Sequence, residues 1–281
     1  MSTLVPPLYA ALVDDASVLP PVVISVTEAL DAFRGHENAW YSEMLGSFLV
    51  PSSLVDFDRS WPALPVGVVN DVAISALPSA VAKLRAAGAE VRQVEAAVAR
   101  RGEDPQPGLA ELRRLAAQGQ ELAVYAEIPL SWGLLAALDT VADGRAEGLP
   151  IAPKFRVGGL AAELFPTPVE LAAVICACRE RDLPFKLAAG LRHALRHTDP
   201  ETGFTHHGFL NVLVACVMAD EGGEVAEVAE ALAATHPVPL IEPARARRDG
   251  PRPLWRGFGT TNVVEPLTEL IRLGLINGGF E

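Results

Sequence analysis

Short apolar segments alternate with helical patterns along the chain, and this alternation restricts the fold more than any other feature. Eight segments have the length and the apolar residues of buried strands, and helical spacing follows most of them. They lie at 10–16, 47–53, 66–71, 91–98, 122–129, 151–159, 184–193 and 254–262. Strands that alternate with helices in this way predict parallel βα units.

Eight such units in 281 residues, with no linker or shift of composition, predict one α/β domain over 1–281. We expect a single TIM-type (β/α)8 barrel, irregular in its first two units because the second lacks an obvious helix. An open doubly wound sheet is the alternative, but no G-x-G-x-x-G follows the first strand. Thr27 is expected to cap the first helix, and the basic segment 243–253 to be an exposed loop.

The composition limits the classes of partner and the cellular compartment that we expect for this protein. A formal net charge of -12 disfavours nucleic acid and anionic membranes as partners, and no apolar stretch of membrane-spanning length is visible. The three cysteines, Cys176, Cys178 and Cys216, lie in apolar helical patterns and are expected to be buried thiols. We therefore expect a cytoplasmic protein that needs no cofactor.

Cations interrupt two of the predicted strands. Lys154 and Arg156 are two residues apart, so they share one face of a strand, and Lys186 shares its face with Ala188 and Gly190. Lysine and arginine are rarely buried without a partner. Cations beside such small residues therefore predict a concave site for an anion.

The proposed roles follow from charge and position, because active sites of such barrels lie at the C-terminal ends of the strands. Arg156 would clamp a carboxylate, phosphate or sulfate. Burial would lower a lysine pKa, so Lys186 or Lys154 would act as a general base or a Schiff-base nucleophile. Glu127 would be their acid/base partner. The alternative is a salt-bridged interior without catalysis.

Other polar residues near the predicted strand ends complete the candidate site. His193 is a candidate general acid or base. The candidate substrate-binding residues besides Arg156 are Asn70, Glu95, Gly159, Arg192, His206, His207, Thr260 and Thr261. The histidines match no standard zinc spacing, so no metal is predicted, although a metal-dependent hydrolase using His193, His206 and His207 is an alternative.

The runs K-F-R-V-G-G, F-K-L-A-A-G-L-R-H and H-G-F-L-N resemble a family of uncharacterised bacterial proteins. The resemblance extends over most of the chain, including L-V-D-D-A and G-F-G-T-T-N, and implies a barrel-like fold and the location of the site. The family pattern has Thr at Ala188, a second His at Arg192, Pro at Ala194, and Ser-Cys-Ser near Thr260 to Asn262. This chain thus lacks part of the polar lining that the resemblance implies.

The combined expectation is a lyase or isomerase acting on a small anionic metabolite, by proton abstraction and elimination or by Schiff-base chemistry. A second possibility is a binding or scaffold subunit in a homo- or hetero-oligomer, with the apolar helix at 208–219 or 225–235 facing a partner.

Overall fold

Eight parallel strands close into a barrel in the computed structural model, which describes residues 4–20, 24–55, 61–118 and 122–278. The strands are β1 (Val13–Asp15), β2 (Leu45–Pro51), β3 (Pro65–Asn70), β4 (Glu90–Ala97), β5 (Ala123–Glu127), β6 (Ile151–Arg156), β7 (Phe185–Ala188), β8 (His197–Thr198), β9 (Thr205–His206) and β10 (Trp255–Thr260). Strands β8 and β9 form an antiparallel hairpin, and β10 closes the barrel between β7 and β1.

Helices surround the barrel, so the prediction of a TIM-type barrel is confirmed. They are α1 (Val26–Glu37), α2 (Leu77–Ala86), α3 (Gln106–Ala116), α4 (Leu134–Ala146), α5 (Pro168–Glu180), α6 (Phe209–Asp220), α7 (Val225–Ala233), α8 (Val238–Ala246) and α9 (Val264–Arg272). The early units are irregular: β1 is short, and the described residues between β2 and β3 hold only the 3-10 turn Ser52–Leu54.

The strand period separates two environments around β6 and β7. Phe155 and Phe185 point outward, are fully buried, and have ring centroids 6.0 Å apart. Lys154 and Lys186 alternate with them and therefore point into the barrel, where both are buried. An apolar layer under the helices thus holds in place strands whose inner faces carry charge.

Two local expectations were wrong. Ser25, not Thr27, caps α1, because its hydroxyl accepts from the Glu28 N–H at 3.2 Å while the Glu28 carboxylate accepts from the Ser25 N–H at 3.1 Å. The segment 243–253 is not one exposed loop, since α8 extends to Ala246. Arg252 beyond it is partly buried and donates to the backbone carbonyls of Leu8 and Trp255.

Helix α6 is enclosed by its neighbours, so it cannot face a partner as the sequence suggested. Its residues from Phe209 to Val217 are all buried, against α5, α7 and α8. Asn211 links α6 to α7 through hydrogen bonds to the carbonyls of Ala231 and Ala234, both at 2.7 Å. Across the four described ranges, no helix is both long and apolar enough to cross a membrane.

Candidate functional site

A chain of alternating charges crosses the interior of the barrel. Each member contacts the next, and the members come from five different strands. In order, they are Asp14, Lys186, Glu95, Lys154, Glu127 and Arg156. We call this set the charge chain.

The contacts along the charge chain are short. The Lys186 ammonium contacts the Asp14 carboxylate and lies 2.5 Å from Glu95 Oε1. Lys154 Nζ lies 2.8 Å from Glu95 Oε2 and 2.7 Å from Glu127 Oε2. Arg156 donates from Nε to Glu127 Oε1 at 3.1 Å. Three carboxylates therefore balance three cations inside a protein whose overall charge is strongly negative.

Strand register explains why the two lysines need Glu95. Glu127, Lys154 and Lys186 are direct neighbours across β5, β6 and β7, so the two ammonium groups start side by side. Glu95 on β4 lies one layer below, opposite Tyr125, and gives one carboxylate oxygen to each lysine. Without this bridge, two like charges would face each other in a poorly solvated interior.

The charge chain is closed to solvent at the end with Lys186 and Glu95, and open to solvent at the end with Arg156. Lys186 and Glu95 are 3% and 1% exposed, whereas the side chain of Arg156 is 46% exposed. Glu127, with 17% of its side chain exposed, stands between these environments. An external molecule can therefore reach the chain at the Glu127–Arg156 pair.

Glu95, Glu127, Lys154 and Lys186 are each held in the charged form. Desolvation by burial raises the pKa of Glu95, but Lys154 and Lys186 outweigh it and lower that pKa to about 2. Desolvation also opposes the charged form of Glu127, yet Lys154 and Arg156 lower its pKa. Burial alone would lower the lysine pKa values, but two carboxylates beside each lysine raise both. The expectation of a lysine with a lowered pKa is therefore wrong for this arrangement.

Polar neighbours support the closed end. Asp14 accepts from the Ser47 N–H at 2.6 Å and from Gln93 Nε2 at 3.2 Å. The Lys186 ammonium lies 4.9 Å from the ring centre of Tyr125. Gln93 and Tyr125 were not selected from the sequence. The signal for both was available, because each precedes a selected glutamate by two residues and so shares its strand face.

A cleft with a volume of about 640 Å³ adjoins the open end of the charge chain. Glu127 and Arg156 form part of its wall, together with the segments that follow β4, β5 and β6 and with one side of α5. The cleft therefore lies at the C-terminal ends of the barrel strands, where sites of this fold occur.

The predicted histidines do not join the charge chain. His193 Nδ1 lies 2.7 Å from Glu269 Oε1 on α9, and His206 Nδ1 lies 3.2 Å from the Gly190 carbonyl. His207 is buried, with Nε2 2.8 Å from the Pro166 carbonyl, and burial lowers its pKa to about 4. Within the described ranges, no group of three or more histidine, cysteine, aspartate or glutamate side chains is placed to hold a metal ion.

The remaining candidate residues contact neighbours in their own segments or lie at the surface. Asn70 donates to the Val72 carbonyl at 2.7 Å, and the Thr260 hydroxyl accepts from the Asn262 N–H at 3.3 Å. Gly159 packs against Leu164, while Arg192 is exposed and Thr261 is half-buried. Of the predicted site residues, the structure therefore joins Glu95, Glu127, Lys154, Arg156 and Lys186, all of them members of the charge chain.

Fold and site together define a parallel β/α barrel with a buried, charge-balanced interior that opens to a cleft at its C-terminal end. No family model matches the chain, no curated protein matches it, and no solved structure matches it. The resemblance to the bacterial family therefore stays a prediction.

Proposed function

We propose that this protein is a lyase or isomerase that removes a proton from a small anionic metabolite. One observation carries the proposal: the charge chain is buried except at Glu127 and Arg156, and these two line the cleft. A base and a cation side by side at the exposed end of such a chain form a minimal site for proton abstraction next to an anionic group.

Arg156 would bind the anionic group of the substrate. Its guanidinium is half exposed, and the hydrogen bond described for it uses Nε alone, toward Glu127. Within the described ranges, the terminal nitrogens donate no hydrogen bond to a carboxylate, and they can form two parallel hydrogen bonds to a carboxylate or phosphate.

Glu127 would take the proton. Its lowered pKa keeps it ionised, and each carboxylate oxygen retains a lone pair beyond its present contact. The C–H bond next to a carbonyl breaks, the proton goes to Glu127, and the electron pair forms an enolate near Arg156. In an isomerase whose substrate has a carbon–carbon double bond next to the proton-bearing carbon, the enolate is a dienolate, and Glu127 returns the proton to the far carbon of that double bond. In a lyase, the electron pair instead expels an anionic leaving group from the adjacent carbon.

The Schiff-base route has weaker support. It requires a neutral amine that a carbonyl carbon can reach, but the pKa of Lys154 is raised and only 5% of its side chain is exposed. Lys186 is equally enclosed and lies between two carboxylates. We therefore assign both lysines to holding Glu127 and Glu95 ionised, rather than to bond formation.

Hydrogen–deuterium exchange tests the proposal across a panel of compounds, so the substrate need not be identified first. Carboxylated and phosphorylated carbonyl compounds would be incubated with the protein in D₂O, and loss of the proton signal next to the carbonyl would be followed by NMR. We expect exchange of at least one compound by the parent. Glu127→Gln should lower its rate by about 100-fold or more, the scale of general-base catalysis.

Arg92→Ala is the matched control, because Arg92 lies on β4 in an exposed pair with Glu90. It should exchange the same compound at the parent rate. Exchange that is as fast in Glu127→Gln as in the parent would rule out the assigned base.

A partner-dependent subunit is the second candidate, and exposed apolar side chains in the segments and helices that follow β5 and β6 favour it. Trp132, Leu135, Leu160 and Val169 are 72%, 57%, 98% and 61% exposed. Large exposed apolar groups of this kind often belong to interaction surfaces. Size-exclusion chromatography coupled to light scattering tests whether the protein self-associates. If the parent and Leu160→Ser both elute as monomers, the result would argue against self-association.

A further inference from the structure

The cleft has two chemically different sides. Its lining side chains are apolar except for Arg101, Glu127, Ser131, Arg156, Glu163 and Glu170. A volume of about 640 Å³ falls within the range of small-molecule sites, which are mostly apolar with a few placed polar groups. A minimal anion such as phosphate or acetate would leave most of this space and most of the apolar wall uncovered.

The charged side comes from the strand ends, and the apolar side comes from the helices. Strands β5 and β6 supply Glu127 and Arg156. Helices α4 and α5 supply Leu134, Leu135, Ala173, Val174 and Ala177. Glu170, which α5 also contributes, accepts from the N–H and hydroxyl of Thr167 at 2.7 and 2.8 Å, so its carboxylate serves the helix cap.

Arg101 adds a second positive charge to the cleft. Its Nη1 donates to the carbonyls of Leu130 at 3.0 Å and Glu163 at 3.1 Å, so it joins the segments that follow β5 and β6. Backbone carbonyls carry no net charge, so these two bonds do not neutralise the guanidinium. The lining thus holds two guanidinium groups and three carboxylates, and Arg156, half-exposed and hydrogen-bonded through Nε, is the cation best placed to bind the anionic group of an acid.

We propose that the substrate is an amphipathic acid, with its anionic group at Arg156 and an aliphatic or aromatic body between α4 and α5. The assignment rests on the proposed function, because the anionic group occupies the same Glu127–Arg156 site. Leu135 lines the cleft yet is 57% exposed, and the body of such an acid would cover it. Burial of that surface is the source of selectivity for an apolar body.

A series of straight-chain acids tests the proposal. Binding of acetate, butanoate, hexanoate and octanoate to the parent would be measured by titration calorimetry. Affinity should rise about two- to fourfold with each added methylene, as expected for transfer of each group out of water. Phosphate should bind more weakly than octanoate.

Two tryptophan variants separate the cleft from the rest of the surface. Ala173 is exposed on α5 and lines the cleft, so Ala173→Trp should fill it and weaken octanoate binding tenfold or more while leaving acetate binding unchanged. Ala110 is exposed on α3 and does not line the cleft, so Ala110→Trp should bind the whole series as the parent does.

The outcomes distinguish this inference from the proposed function. An affinity independent of chain length, or equal octanoate binding by both tryptophan variants, would overturn the amphipathic substrate and leave the D₂O exchange result standing. Graded binding that Ala173→Trp abolishes, without any exchange that depends on Glu127, would support an amphipathic acid as the ligand and refute the proton abstraction.

Discussion

Glu95 is the residue on which the charge chain depends most, because it contacts both buried lysines. Replacing one member of a buried ionic network leaves the others uncompensated and typically costs about 3–5 kcal/mol. We therefore expect Glu95→Gln, which preserves shape, to lower the free energy of unfolding by about that amount in urea titrations at pH 7.

An exposed arginine provides the comparison for Glu95→Gln. Arg92→Met removes an ion pair whose partners are 63% and 50% exposed, and such pairs are worth about 0–1 kcal/mol. A Glu95→Gln protein no less stable than Arg92→Met would show that the lysines do not depend on Glu95.

His207 should make the stability of the protein depend on pH. Burial lowers its pKa from 6.5 to about 4, so the unfolded chain binds more protons than the folded one between these values. The stabilising effect of the neutral imidazole is full above pH 6.5 and is lost as the pH falls through about 4. The difference corresponds to about 3 kcal/mol at pH 4.

Urea unfolding of His207→Gln at pH 7 and at pH 4 checks this contribution. The variant should lose less stability between the two pH values than the parent does, by about 3 kcal/mol. His236→Gln alters an exposed histidine and should keep the parental dependence. Equal pH dependence in His207→Gln and the parent would assign the effect to other groups.

The cations and the partner Glu127 were predictable, whereas the contacts with Asp14 and Glu95 were not. The two-residue spacing of Lys154 and Arg156 placed them on one face, since the strand period is local. Asp14 lies 172 positions from Lys186 in the numbering (186 minus 14), and the contact exists only because β10 closes the barrel between β7 and β1. The ionisation of the lysines followed from these partners, so burial alone predicted the wrong direction.

At the scale of elements, the segments after β6 and β7 approach each other through backbone atoms. A Cβ added to Gly158 would lie 2.8 Å from Gly190 Cα and 2.9 Å from its nitrogen. We expect Gly158→Ala to force these segments apart and to lower the free energy of unfolding by about 1–3 kcal/mol, as overpacking does.

Gly35 offers a matched glycine for this experiment. It lies inside α1, and an added Cβ would have no neighbour within 4 Å. Gly35→Ala should therefore stabilise the protein by about 0.5–1 kcal/mol, because alanine restricts the unfolded chain more. If urea titrations showed Gly158→Ala to be as stable as Gly35→Ala, the close approach at Gly158 would be disproved.

The sequence made Gly159, after β6, a candidate substrate-binding residue, but a Cβ added there would meet the Leu164 side chain, so close packing explains this glycine without a ligand. The helices predicted at 208–219 and 225–235 begin and end within two residues of α6 and α7. The cap of α1 was misplaced because both Ser25 and Thr27 are suitable cap residues. The reciprocal bond from Glu28 identifies Ser25, since a capping box requires a spacing of three.

At the scale of the molecule, the repeated βα pattern was sufficient to predict the closed barrel. The apolar wall of the cleft was not predictable, because it comes from α4 and α5, whereas the charged wall comes from β5 and β6. Residues from separate units become neighbours only through the way the helices pack around the barrel. The formal charge of -12 likewise gave no indication of the charge chain, in which three carboxylates balance three cations.

Anion binding at Arg156 is the most direct test of the whole account. Binding of phosphate, sulfate and octanoate would be measured by calorimetry for the parent, Arg156→Ala and the control Arg92→Ala. We predict that Arg156→Ala loses about 1.5–3 kcal/mol of binding free energy for at least one of these anions, the scale of a hydrogen bond to a charged group. Arg92→Ala should lose none. Equal binding of all three anions by Arg156→Ala and the parent would contradict the account.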